Sequence, residues 1–222
     1  MKRNNKRSHG SEFTLTNIKP LNDNQALVLG SKKNQVLSGY AGTGKTLTAS
    51  YVAYRDIFVN KLFDKLVYFR SAVPTRNIGF LPGTDKEKLE VYEAPYMDIA
   101  AQLFGRGDAY QILKLKNIVH FSSTSFVRGT NLRDAVIIVD ECQNMTYHEL
   151  DSIITRLNDN CKIIFCGDMR QADLAHNGLA DFFKVLSSMD SFNFVEFQKS
   201  DIVRSELVKN YIIKKDEVLN KR

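Results

Sequence analysis

The chain has no tryptophan, only three cysteines and only four prolines, and no apolar run approaches the roughly 20 residues that a membrane-crossing helix needs. A helical membrane span is therefore not expected. The cysteines, Cys142, Cys161 and Cys166, are odd in number, and two of them lie within apolar runs. That pattern argues against a disulfide framework and predicts a reducing compartment, the cytoplasm. The basic N-terminus, Met1 to His9, has no apolar stretch behind it and does not read as a secretory signal. Internal repeats and low-complexity blocks are also missing.

What is present suits a globular protein. Of 222 residues, 43% are apolar and 25% charged, which rules out wholesale disorder and fits one large core. The net charge of +6 is unevenly spread. Residues 1–10 carry four basic and no acidic side chains, residues 209–222 carry five basic and two acidic, and residues 11–208 hold 22 basic against 23 acidic. The body is thus no uniformly basic nucleic-acid binder, and the basic ends are either solvated or attract phosphate backbones. Residues 1–13 and 214–222 are expected to be tails around one domain spanning 14–213.

Short β-branched and aromatic runs predict strands at Gln35–Leu37, Leu66–Phe69, Ile118–Phe121, Val136–Val139, Ile163–Cys166 and Phe192–Phe197. The Val136–Val139 run is apolar on both faces, as a central parallel strand requires. Between the strands, Leu47, Tyr51, Tyr54 and Phe58 mark one face of a helix after Lys45. Tyr147, Leu150, Ile154 and Leu157 mark a second, with Thr146 and Glu149 as a capping box. A last helix is expected after Ser200 and Asp201, with Val203, Leu207 and Tyr211 in step. Residues 77–88 read as a long loop. Strands alternating with helices predict an α/β domain, a mostly parallel sheet with helices on both faces.

Gly39, Tyr40, Ala41, Gly42, Thr43, Gly44, Lys45 and Thr46 fit the P-loop pattern of glycine, four residues, then Gly-Lys-Thr. Apolar Val36 and Leu37 precede it and the helical stripe follows, so the context is strand, loop, helix. Such a loop turns backbone N–H groups onto phosphate oxygens at a helix N-terminus. Lys45 is expected to reach the β- and γ-phosphates of ATP, and Thr46 to give its hydroxyl to Mg2+. A second element, Val136 to Val139 followed by Asp140 and Glu141, puts two carboxylates at the ligand-binding edge of a core strand. Asp140 would hold the Mg2+, and Glu141 would orient or deprotonate an attacking water. A third strand ends at Gly167 and Asp168 and should bring Asp168 and Gln171 to the same edge, where the neutral amide could touch the γ-phosphate or the water.

Together these motifs resemble the PhoH-like family of P-loop ATPases, which is related to superfamily 1 helicases and has a RecA-like core. The similarity runs from about residue 20 to 212. It includes Gly39–Thr46, Arg70 to Pro74, Gly79 to Gly83 with Glu87 and Lys88, Phe126 to Thr130, Asp140 to Thr146, Gly167 to Leu174, and Asp201 to Arg204. The resemblance implies further roles. Leu21 to Gln25 is similar to the helicase Q motif, in which Gln25 would read the adenine edge; the competing reading is a polar loop before a helix. Arg204 resembles an arginine finger, the alternative being a surface arginine. With room for one core only, such a finger would act in trans on a neighbouring subunit, and the resemblance implies a homo-oligomer, a hexameric ring. Too few residues precede the motifs for a nuclease domain, so RNase activity is not expected.

Partners are less marked than the nucleotide. Ser122 to Gly129 is similar to the helicase loop that touches single strands, so single-stranded RNA or DNA is the expected partner, with Phe126 stacking a base. Arg128 could face nucleic acid or another subunit. No membrane partner is expected. The resulting expectation is a Mg2+-dependent ATP hydrolase with RNA helicase or remodelling activity. Two alternatives stay open. One is a nucleoside kinase resembling thymidine kinase, which shares the Asp140 to Gln143 run, although no paired CxxC ribbon is present. The other is an ATP-switched binding module without motor activity.

Overall fold

The computed structural model describes residues 13–71, 85–124, 132–169 and 178–219. Helix α1 (Asp23–Gly30) precedes β1 (Asn34–Gly39), and α2 (Lys45–Phe58) precedes β2 (Lys65–Arg70). Then come α3 (Asp85–Phe104), α4 (Ala109–Leu115), β3 (Val119–Ser123) and β4 (Ala135–Asp140). The chain ends with α5 (Tyr147–Ile154), β5 (Cys161–Cys166), α6 (Leu179–Ser187), β6 (Phe192–Phe197) and α7 (Glu206–Leu219). All six expected strands are present, and every pairing between them is parallel, in the order β3-β2-β4-β5-β1-β6. This is the sheet of a RecA-like P-loop NTPase core.

Side-chain alternation along the strands divides the core in two. Val136 and Ile138 of β4 pack with Leu66, Tyr68 and Ile164 against α1 to α4. Ala135, Ile137 and Val139 pack with Phe69, Ile163 and Phe165 against α5 and α6. Strand β4 is buried at every position, which follows from helices on both faces and strands on both sides. The expected capping box is also in place: Glu149 N–H donates to Thr146 Oγ1 at 3.3 Å, and Thr146 N–H donates to Glu149 Oε2 at 2.8 Å. Among the described residues no helix is long and apolar enough to cross a membrane.

Two expectations are corrected. The long loop expected over residues 77–88 ends early, because α3 already begins at Asp85; the Gly79 to Gly83 motif itself lies outside the described residues. Pro95, inside α3, interrupts helical hydrogen bonding without ending the helix, since Tyr96, Ala100 and Leu103 continue as a buried stripe. The last helix starts later than expected, at Glu206, so Val203 and Arg204 lie in the segment before it rather than on its face.

Candidate active site

Strand β1 runs into the P-loop, and α2 starts at Lys45. Gly39, Gly42 and Gly44 have φ of +116°, +77° and +85°, a region that side-chain-bearing residues avoid. At Gly39 a Cβ would also run into the Phe197 backbone of β6. Gly39→Ala is therefore expected to cost about 2 kcal/mol or more, seen as a melting temperature lowered by roughly 4–8 °C. An unchanged melting temperature would mean that β6 gives way there.

Lys45 Nζ donates to the carbonyls of Gly39 (2.8 Å) and Tyr40 (2.7 Å). Burial pushes its pKa down, opposed by Cys166, Asp168, Glu141 and Asp140 nearby. An ammonium held on two neutral carbonyls, in a loop shaped for anions, is one that phosphate oxygens can draw away, because a charged acceptor binds it more strongly. The loop is braced from outside. Thr43 Oγ1 donates to Tyr40 O at 2.9 Å, and Tyr40 OH donates to Asp216 of α7 at 2.8 Å. Lys199 pairs with the same Asp216 at 2.5 Å and lies 5.7 Å from the Tyr40 ring centroid.

Across the loop, Asp140 ends β4 and is buried. Its Oδ1 accepts from Thr46 Oγ1 at 2.9 Å, and its Oδ2 accepts from Tyr96 OH at 2.9 Å. Burial, and then the neighbouring Glu141, push its pKa up, while the Thr46 and Tyr96 hydroxyls and Arg70, its register partner on β2, push it down. A hydroxyl and a carboxylate in contact form a hard oxygen pair, the donor chemistry that Mg2+ prefers. The expected pairing of Thr46 with Asp140 is thus assembled.

Glu141 leaves the strand in the left-handed conformation, φ +51° and ψ +40°, which turns the chain into a short 3-10 turn over Cys142–Asn144. That turn brings Gln143 back onto the site. Gln143 Nε2 donates to Glu141 Oε2 at 2.5 Å, and Gln143 Oε1 accepts from Asp168 N–H at 3.1 Å. A Cβ on Gly167 would lie 2.7 Å from both Gln143 Oε1 and Cys142 Sγ, so a larger residue there would push the Gln143 and Cys142 side chains aside. Gln143 is not among the site residues expected from sequence; its signal is its place two positions after Glu141. Asp168 is buried at the end of β5, beside β4 as expected, whereas Gln171, Phe126 and Arg128 lie outside the described residues.

Gln25 and Arg204 take positions that the sequence does not reveal. Gln25 is buried beneath the loop: Nε2 donates to Thr43 O at 3.0 Å, and Oε1 accepts from Leu21 N–H at 2.9 Å. Its amide holds the P-loop against α1, and an adenine-reading role would rest on its second N–H. The expectation for Arg204 is a side chain projecting towards a neighbouring subunit. Within its own chain Val203 N–H donates to Gly42 O at 3.0 Å, and a Cβ on Gly42 would lie 2.8 Å from Arg204 Cγ and 3.3 Å from its Nε. The connection from β6 to α7 crosses the chain's own P-loop, and the Arg204 side chain is exposed beside Gly42.

Comparisons with known proteins agree with this geometry. A family model described as PhoH-like protein matches residues 17–215. A PhoH-like protein of Bacillus subtilis is 33% identical over 191 residues, which is 83% of this chain and 59% of that protein. Protein PhoH of Escherichia coli is 31% identical over 182 residues, 80% of this chain and 51% of that one. The chain thus spans about half the length of these relatives. Among solved structures, the large terminase of a thermophilic bacteriophage in complex with ADP superposes with a TM-score of 0.57 at 14% identity, covering 85% of this chain and 48% of the terminase. At that identity the likeness is one of fold.

Proposed function

The chain belongs to the PhoH-like protein family, and from that premise we propose that it is a Mg2+-dependent ATP hydrolase coupled to single-stranded nucleic acid. The observation that carries the hydrolase reading is the contact of Thr46 with Asp140 at 2.9 Å, with Lys45 and Glu141 on the same sheet edge. Lys45 and the P-loop amides bind the triphosphate. Thr46 and Asp140 would hold the Mg2+, which would supply positive charge to offset that of the triphosphate. Glu141 accepts a proton from a water aimed at the γ-phosphorus, so ADP and inorganic phosphate leave. Gln143 occupies one Glu141 oxygen and so turns the other towards that water.

Arg204, exposed beside Gly42, supports charge on the transferring phosphoryl group, and dilution and rescue decide between its own nucleotide and that of a neighbouring subunit. Assembly into a homo-oligomeric ring, hexameric by family resemblance, is a separate property of this proposal. Nucleic-acid coupling draws support from topology. Strand β3 ends at Ser123, in register with Arg70, which is itself in register with Asp140, and in the sequence Phe126 and Arg128 follow within five residues.

The deciding experiment is phosphate release from ATP over a protein dilution series, with and without single-stranded RNA and with no acceptor nucleoside. Release that requires Mg2+ and rises with RNA is expected. No release without a nucleoside would overturn the hydrolase reading, and indifference to both RNA and single-stranded DNA would overturn the coupling. Arg204→Ala is expected to lower turnover about a hundredfold or more. Specific activity constant on dilution, with no rescue of Arg204→Ala by subunits that lack Lys45, supports action within one subunit. Loss on dilution together with rescue would place the arginine across an interface.

A further inference from the structure

The proposed reaction uses Thr46 and Asp140 but does not say what keeps the Asp140 carboxylate in its rotamer. Its two oxygens are not equivalent. Thr46 donates to Oδ1, so the lone pairs of that hydroxyl point away from Asp140, towards where a cation would sit. Oδ2 is taken by Tyr96, a fully buried residue of α3, on the face of the sheet that carries α1 to α4.

The Tyr96 ring is itself immobilised. It stacks on Tyr68 of β2 with centroids 4.0 Å apart and an interplanar angle of 19°. Tyr68 OH donates to Ser50 Oγ at 2.9 Å, and Ser50 Oγ donates to Thr46 O at 2.7 Å, one turn back along α2. The stack thus supports both partners of the Thr46–Asp140 pair, one from α3 and the other from β2. Nothing in the proposed chemistry requires a tyrosine there, and a phenylalanine would fill the same space. Among the described residues the hydroxyl has a single use, which is to donate to Asp140.

We propose that Tyr96 is a positioning residue for Asp140: its hydroxyl fixes the rotation of the carboxylate that receives Mg2+ and so ties α3 to the state of the metal–nucleotide site. This rests on the reading of Thr46 and Asp140 as the Mg2+ pair. Partners that orient a metal ligand from behind typically contribute tenfold to a hundredfold in metal affinity.

The test is ADP affinity of the full chain, read with a fluorescent ADP, across a Mg2+ titration and in EDTA. For Tyr96→Phe the affinity in EDTA should match wild type, while half-saturation by Mg2+ should need about tenfold to a hundredfold more metal. Tyr68→Phe, which keeps the Tyr96 bond and loses the hydroxyl's links to Ser50 and Tyr54, should raise the Mg2+ requirement less than Tyr96→Phe does. An unchanged Mg2+ dependence in a folded Tyr96→Phe protein overturns the proposal alone. Wild-type affinity that ignores Mg2+ overturns the metal reading of the site as well. If Tyr96→Phe does not fold, hydrogen exchange of the wild type decides. The α3 amides around Tyr96 should be better protected with Mg2+ and ADP than with ADP in EDTA, and equal protection overturns the coupling.

Discussion

Replacing Lys45 with alanine is expected to lower ATP turnover by about a hundred- to a thousandfold and to weaken nucleotide binding with it. The effect is large because no other residue of the loop carries a cationic side chain. Lys45 is already bonded to the Gly39 and Tyr40 carbonyls at the loop's mouth, and burial has lowered its pKa, so little water needs to be stripped from it when phosphates arrive. The fold should survive. Although the ammonium bonds to two loop carbonyls, the loop is also held by its positive-φ glycines, by Thr43 and by Gln25 beneath it. Steady-state phosphate release beside a thermal melt separates the two effects. A melting temperature that falls as steeply as activity would recast Lys45 as a structural residue.

Glu141→Gln should separate binding from turnover, lowering the hydrolytic rate about a hundred- to ten-thousandfold while nucleotide is still bound. Glutamine keeps the size of the side chain and an oxygen able to accept from Gln143, so the turn that Glu141 opens is preserved. What goes is the carboxylate that takes the proton. On the proposed reading binding depends on Lys45, which bonds to Gly39 and Tyr40, and on the Thr46–Asp140 pair, and none of these bonds involves Glu141. Single-turnover hydrolysis and nucleotide affinity, measured on one preparation, read both halves. Turnover within about threefold of wild type would move the proton acceptor elsewhere on the sheet edge.

Much of the fold is legible in the sequence because its signals are local. Six β-branched runs, an apolar strand ending in two acids, a glycine pattern and a capping box each lie within a few consecutive residues, where period and turn chemistry act. Parallel pairing follows from strands alternating with helices, and the placement of Asp168 on the same sheet edge as Asp140 follows from the parallel pairing. Helix α3 was not among the expected helices, because Pro95 breaks its pattern and a glycine-rich motif precedes it.

The remainder is settled only in three dimensions. Tyr96 reaches Asp140 across 44 positions of sequence, Gln143 meets the Asp168 amide across 25, and Tyr40 meets Asp216 across 176. Arg204 lies over its own P-loop only because β6 pairs with β1 and the chain leaving it must cross Gly42. Sequence by itself determined which residues are candidates for phosphate, metal and water chemistry, since those are matters of residue type and short spacing. Which neighbours hold them in place was decided by strand order and helix packing, contacts between distant segments that local periodicity does not encode.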